Sequence, residues 1–362
     1  MNNLQKARDA INNIDKEMAR LFELRMDAVK EVAAYKKEKG LPIDDLNREA
    51  TIIRQNSDYI QNDEYKSYYV KFLKDNIETS KKLQHKLLEG MTVAYSGVEG
   101  AFANIAAQRI FPDAKCLPYA DFKSAYRAVE NGECDCAILP IENSFNGDVG
   151  NVLDLAFFGS LYINGIYEAE VVQNLLGVKG STLSDIKTVI SHSQALGQCA
   201  AFIEKNGFKT ASAVNTAVAA KSVAENGKKD IAAIGSAEAA HLFGLQVICE
   251  KINDSSSNTT RFAVFCRSNK TPSPFDERFI MLFTVNNTAG SLGKAISVIG
   301  QHGFNLMALK SRPTKELVWD YFFYVEGEGN ISSSEGNAML TELKDYCSNL
   351  KIIGSFEKEI HI

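Results

Sequence analysis

Leu4, Ala7, Ile11, Ile14, Met18, Leu21, Arg25, Ala28, Val32 and Tyr35 recur at alternating spacings of three and four. Such a seam puts one apolar stripe along one side of a helix and rules out a strand, whose side chains alternate. No glycine or proline interrupts it before Gly40 and Pro42. At about 1.5 Å per residue the predicted helix runs roughly 55 Å. Little else in a ninety-residue unit could cover such a rod, so the seam predicts pairing with a second copy of the chain. Residues 1–90 hold two glycines and the next 180 hold fourteen, which marks a boundary near Gly90.

Arg25 interrupts the stripe, where a guanidinium is costly unless something anionic meets it. Lys36 lies three turns further along on the same side. Arg8 falls on another face and would reach the partner chain's site. Asp45, Arg48 and Glu49 open a second predicted helix, and a third, from about Glu64 to Leu88, sets Ser80 and Gln84 one turn apart. Taken singly, most of these charges would read as solvated surface.

A formal charge of −5 in 362 residues argues against a nucleic-acid partner. The seven scattered cysteines lack a CxxC pair, which fits reduced thiols and predicts no metal site. No signal-peptide pattern or membrane-length apolar run is present, so a soluble cytoplasmic protein without cofactor or membrane partner is expected.

Arg8, Arg25, Lys36, Asp45, Arg48, Glu49, Ser80 and Gln84, in that order on three helices, resemble the all-helical chorismate mutases. The resemblance implies arginines on the two carboxylates of chorismate, Lys36 and Gln84 on its ether oxygen, and Glu49 on its ring hydroxyl. A Claisen rearrangement needs a compact conformer and positive charge at the breaking C–O bond, with no acid, base or nucleophile.

From Met91, apolar runs end in polar turns and pass into helical patterns. Thr92–Tyr95 leads to Ser96-Gly97-Val98-Glu99-Gly100, Ala137–Ile141 to Glu142-Asn143-Ser144, Thr188–Ile190 to Ser191-His192, and Ile231–Ile234 to Gly235-Ser236. This alternation predicts a mainly parallel sheet with ligands beyond the strand ends. Gly97-x-x-Gly100 lacks the third glycine of a dinucleotide fingerprint. His192 lacks a carboxylate partner in sequence and is read as a helix entry rather than a general base.

Pro140-Ile141-Glu142-Asn143-Ser144, Ser191-His192-Ser193-Gln194 with Gln198, Asn215-Thr216 and Asn258-Thr259-Thr260-Arg261-Phe262 resemble prephenate dehydratase over residues 91–268. Ser193 departs from the proline expected there. The resemblance implies a two-lobed α/β fold like periplasmic binding proteins, with the site between the lobes. It implies Thr260 as the donor that helps hydroxide leave, Asn143, Ser191, Gln198 and Thr259 as hydrogen-bonding partners, and Arg261 on a substrate carboxylate. Glu142 would support that network and Phe262 completes the run.

Asn269–Pro274 reads as a linker, with residues 269–277 joining the dehydratase-like segment to residues 278–362. Strand, helix, strand, strand, helix, strand follow, a ferredoxin-like α+β order. Ala289-Gly290-Ser291-Leu292 and Lys310-Ser311-Arg312-Pro313 resemble the phenylalanine-contacting motifs of ACT regulatory domains. Ala289 and Lys310 depart from the usual proline and glutamate. A dimerisation-only role stays open for this segment. The chain as a whole resembles the fused chorismate mutase/prephenate dehydratases, which implies chorismate and prephenate as substrates and phenylalanine as effector. Arogenate dehydratase and a non-catalytic aromatic-amino-acid sensor are the rival readings.

Overall fold

The computed structural model describes residues 2–39, 46–255, 257–270, 272–314 and 320–362. It forms two compact units, residues 1–91 and 92–362. Asp45, Gly40 and Pro42 lie outside the described residues.

The first unit is helical. Helix α1 (Asn3–Lys39) carries the seam, α2 (Leu46–Ser57) follows, and α3 (Asp63–Glu89) starts where the Asn62 side chain accepts from the Glu64 amide. Gly90, at φ 84°, ends α3 in a conformation only glycine takes cheaply. Ala33, Leu73 and Ile77 are buried between the helices.

The second unit begins with β1 (Thr92–Ser96), α4 (Phe102–Ile110), β2 (Lys115–Tyr119), α5 (Phe122–Glu130) and β3 (Cys136–Asn143). The short β4 (Gly147–Asp148), α6 (Gly150–Phe158) and β5 (Tyr162–Glu170) complete most of a first lobe. The chain then crosses to a second lobe. There β6 (Asn174–Gly177), β7 (Thr188–Ser191), α7 (Ser193–Gln198), α8 (Ala200–Asn206) and β8 (Lys209–Ser212) come first. They are followed by α9 (Thr216–Asn226), β9 (Ile231–Gly235), α10 (Ala237–Leu242) and β10 (Gln246–Cys249). Strand β11 (Thr259–Cys266) returns to the first lobe and inserts between β3 and β5, antiparallel to both. The sheets are therefore mixed: β1, β2 and β3 run parallel, as do β7, β8 and β9, while β6, β10 and β11 run against their neighbours.

The last elements are β12 (Arg278–Thr284), α11 (Ser291–Gln301), β13 (Asn305–Pro313), β14 (Tyr321–Glu328), α12 (Ser334–Leu343), β15 (Ser348–Phe356) and β16 (Ile360–His361). Among the described residues, the sheet order is β13-β14-β12-β15. Both faces of this sheet are covered. Phe279, Met281 and Phe283 of β12 pack with residues of its own helices. Ile280 and Leu282 share a core instead with Tyr126, Leu139, Leu153 and Phe265 of the first lobe. Phe322 stacks on Phe157 of α6 at 4.1 Å. Strand β16 then leaves the small sheet and pairs with β5 of the large one.

Candidate functional site

In the helical unit, Arg25 turns out of the exposed stripe toward α3. Its guanidinium donates to the Ser80 hydroxyl and, at 3.5 Å, to the Asn76 carbonyl. Burial pushes the Arg25 pKa down from its ordinary value. Ser80 and Gln84 are buried one turn apart, and Glu49 pairs with Lys81 at 3.2 Å. Gln84 Oε1 and Asn76 Oδ1 are buried without a hydrogen-bond partner among the described residues. Lys36 is partly buried, whereas Arg8 and Arg48 are exposed in the single chain.

In the two-lobed unit, Asn143 ends β3 and Thr260, the second residue of β11, lies directly opposite it. Asn143 Nδ2 donates to Thr260 Oγ1 at 3.0 Å, to Asn258 Oδ1 at 2.9 Å and to the Thr259 carbonyl at 3.2 Å. Asn143 Oδ1 accepts from the amides of Phe145 and Asn146. The side chain is thus fixed at both ends. Phe262 is buried two residues beyond Thr260.

Amides carry the connection across the hinge. Asn258 and Asn253 both donate to the Val171 carbonyl, at 3.4 and 3.1 Å. Asn253 Oδ1 accepts from the Gln173 amide at 2.7 Å, and Gln173 Nε2 donates to Gln198 Oε1 at 3.2 Å. Gln198 of α7 therefore connects back to Asn143 through side chains, the Gln173 backbone N–H and the Val171 carbonyl. Gln173 and Asn253 were missed in sequence, where nothing but their place at a strand crossing singles them out. Ser191 is fully buried and spends its hydroxyl proton on the Ile234 carbonyl at 2.7 Å, so it can only accept further. His192 Nδ1 accepts from the Gln194 amide at 3.3 Å, the helix-entry role read from sequence.

A cavity of about 390 Å³ opens between the lobes, lined by Phe102, Ile105 and Arg109 of α4, Ala169, Asn174 and Ser236 among others. Ala169 is the cross-strand neighbour of Thr260. Arg109 bridges the lobes to Glu238 at 2.6 Å. Neither this cavity nor a larger hollow of about 580 Å³ between α5 and α6 is lined by any of the residues expected at the site.

Four expectations are corrected. Successive strand residues point to opposite faces, and Arg261 lies on the face away from Thr260. Its guanidinium meets Glu326 of β14 in a two-pronged pair at 3.1 and 2.8 Å, Glu142 at 2.9 Å and Glu359 at 3.1 Å. It is not placed to hold a substrate carboxylate. Glu142 is on that far face too, because it precedes Asn143 on β3 and pairs directly with Arg261; the register slips by one residue only beyond it, at Ile141. Burial pushes the Glu142 pKa up, but Arg261 and Lys310 together hold it below the ordinary value. Lys310, expected at an effector, pairs with Glu142 at 3.2 Å and Asp148 at 2.6 Å. Arg312, likewise expected there, is held by both oxygens of Asp154 on α6. Both β13 cations thus face the first lobe, while Ser311 and Pro313 alternate to the other side. Ala289, Gly290, Ser291 and Leu292 form the entry to α11, where Gly290 takes φ 83° and Thr288 and Ser291 share a hydroxyl hydrogen bond at 2.6 Å.

Residues 7–85 match the family model for chorismate mutase type II, and residues 93–270 that for prephenate dehydratase. The bifunctional chorismate mutase/prephenate dehydratase of Aquifex aeolicus is 30% identical over 99% of this chain and 99% of its own length. A chloroplastic arogenate dehydratase/prephenate dehydratase of Arabidopsis thaliana is 32% identical over 74% of this chain and 72% of its own. Among solved structures, a prephenate dehydratase from Arthrobacter aurescens in complex with L-Phe gives a TM-score of 0.70 at 27% identity, covering 74% of this chain and 90% of that one. A helical module followed by a two-lobed module of the periplasmic-binding-protein type defines a two-site enzyme, an isomerase joined to a carbon–oxygen lyase. The chain belongs to the family of bifunctional chorismate mutase/prephenate dehydratases, enzymes of phenylalanine biosynthesis.

Proposed function

We propose that residues 1–90 rearrange chorismate to prephenate, that residues 91–268 convert prephenate to phenylpyruvate, and that residues 278–362, joined by 269–277, form a ferredoxin-like ACT module through which phenylalanine acts. The observation that carries the dehydratase half is the amide of Asn143 on the oxygen of Thr260. Loss of CO2 sends the electron pair of the breaking C–C bond into the ring, and hydroxide departs from the opposite carbon. Hydroxide leaves poorly unless a donor meets it. An N–H already bound to Thr260 Oγ1 orients the hydroxyl, leaves its proton unspent and polarises it into a stronger donor. Thr259, Ser191 and Gln198 supply further polar contacts.

In the mutase half, Arg25 and Arg48, with Arg8 from a second copy, hold the carboxylates of chorismate. Lys36 and Gln84 meet the ether oxygen and Glu49 the ring hydroxyl, with Ser80 and Asp45 as further substrate-binding residues. Gln84 Nε2, which donates to the Ser80 carbonyl only at 3.5 Å, is the atom that could give such a hydrogen bond. Pairing is supported by the α1 stripe, in which Leu4, Ile11, Ile14, Met18, Leu21, Val32 and Tyr35 all stand exposed in the single chain. The effector site is reduced to the α11 entry, Ser311 and Pro313, since Lys310 and Arg312 are engaged elsewhere. Prephenate is favoured over arogenate because the relative matched along the whole chain is named for prephenate. The catalytic role of Thr260 is tested by supplying chorismate and reading phenylpyruvate, with and without phenylalanine. Thr260→Ala should stop the sequence at prephenate, and near-normal phenylpyruvate formation by that variant would refute the assignment.

A further inference from the structure

We infer that Arg261 is a positioning residue for the dehydratase, through which Glu326 of the C-terminal sheet sets the geometry of the Asn143–Thr260 pair. The inference rests on Asn143 and Thr260 being the dehydratase pair, as proposed above. Thr260 and Arg261 are consecutive on β11, and Asn143 and Glu142 are consecutive on β3. The near-face pair is the amide–hydroxyl contact, and the far-face pair is the Arg261–Glu142 ion pair at 2.9 Å. Because the backbone between them is shared, a turn of either strand that moves the far pair also moves the near one.

The far pair does not float in solvent. The Glu326 and Arg261 side chains are 5% and 16% exposed, and their contact is two-pronged, which fixes angle as well as distance. Tyr324 donates to Glu326 at 2.7 Å from the same strand. Lys310 of β13 reaches Glu142 from the other side. Glu359, just before β16, completes the ring around the guanidinium at 3.1 Å. Two catalytic-lobe strands are thus clamped by three separate segments of the C-terminal module. Burial pushes the Arg261 pKa down, but Glu326 and Glu142 outweigh it and raise it, so the charge is permanent. A buried charge that loses its partner forces its surroundings to rearrange, and here those surroundings are the strand ends carrying the site.

The test is steady-state dehydration of prephenate by the full-length enzyme carrying Arg261→Lys, Arg261→Gln, Glu326→Gln or both glutamine changes. Positioning predicts that kcat falls about tenfold or more for Arg261→Gln while KM stays within about threefold. Arg261→Lys recovers part of the loss. Glu326→Gln, which cannot touch substrate, lowers kcat in the same way, and the double variant loses no more than Arg261→Gln alone. Tyr324→Phe should give a smaller loss of the same kind if Glu326→Gln does not fold. A raised KM at unchanged kcat for Arg261→Gln would return the residue to the substrate. Wild-type kcat in folded Glu326→Gln, or additive losses, would also overturn the inference. Thr260→Ala run in parallel separates the two readings: if it retains activity the site assignment fails, and if it alone is inactive only the positioning role fails.

Discussion

Asn143 Nδ2 donates to Thr260 Oγ1 across the first pair of the β3–β11 ladder, which leaves the hydroxyl its own proton still to give. Changing either residue should act on turnover of prephenate. Thr260→Ser, which keeps the hydroxyl, should retain measurable dehydration, and Thr260→Val should lose about a hundredfold or more in kcat. Asn143→Asp replaces the donor by an acceptor facing the Asn258 oxygen and should lose about as much. Chorismate consumption by all three should equal that of the wild type, which one progress curve at each wavelength checks.

The half-buried Arg25 should be as decisive for the other activity. Arg25→Ala removes the guanidinium beside Ser80 and is expected to cost about a hundredfold or more in mutase kcat/KM, with dehydration of supplied prephenate unchanged. Arg25→Lys keeps the charge but loses the planar fork and should recover only part of it. The rate of chorismate loss decides both.

Helices and strands were legible because their periods are local: the α1 seam, the Asn62 cap and the apolar runs ending at Asn143 and Ser191 can be read from neighbours in sequence. Faces were harder. Alternation alone already forbids Thr260 and Arg261 from entering one pocket, a signal the motif as a unit obscures. The same alternation sets Glu142 on the face away from Asn143, whereas the bulge at Ile141 shifts the pairing beyond it, and nothing in Pro140-Ile141-Glu142 announces that slip. Lys310 and Arg312 find their partners about 160 residues away, on β3, β4 and α6. Such pairings belong to the packing of one sheet on another and leave no local pattern.

That packing predicts a glycine's cost. Gly354 of β15 lies against β5, where an added Cβ would run into the carbonyl oxygen of Ile163. Backbone cannot swing aside as a side-chain tip can, so Gly354→Ala should destabilise the second unit by about 1–3 kcal/mol. Thermal unfolding of the full chain should show a lowered midpoint. A control at Gly293, where a Cβ meets nothing within 4 Å, should be neutral or slightly stabilising.

Acidity should act on the C-terminal helices through His302. Its Nε2 faces Glu342 at 3.0 Å and its Nδ1 faces Glu335 at 2.5 Å. Hydrogen bonds to Glu342 first and Glu335 second raise its pKa above the ordinary 6.5. A raised folded-state value means that the contribution is complete below the unfolded pKa and is lost as pH climbs through the folded one. The unfolding midpoint should therefore decline from neutral into mildly alkaline pH, and His302→Gln should flatten that slope. Melting curves across that interval read the difference.

The exposed stripe on α1 sets the last expectation. Ile11, Ile14, Met18 and Leu21 are each about half exposed over adjacent turns, and burying what remains exposed is worth about 1 kcal/mol apiece, half the value of full burial. A second copy laid along the stripe buries both sets at once and brings its exposed Arg8 toward the Arg25 site. Ile14→Glu or Leu21→Glu places a carboxylate at the centre of that contact, where two copies would oppose like charges. Sedimentation should then report a smaller particle, and mutase activity should fall with it. Arg8→Ala separates the two effects, since it should lower mutase activity at unchanged particle size. A particle of wild-type size in both glutamate variants would show that the stripe is not where copies meet.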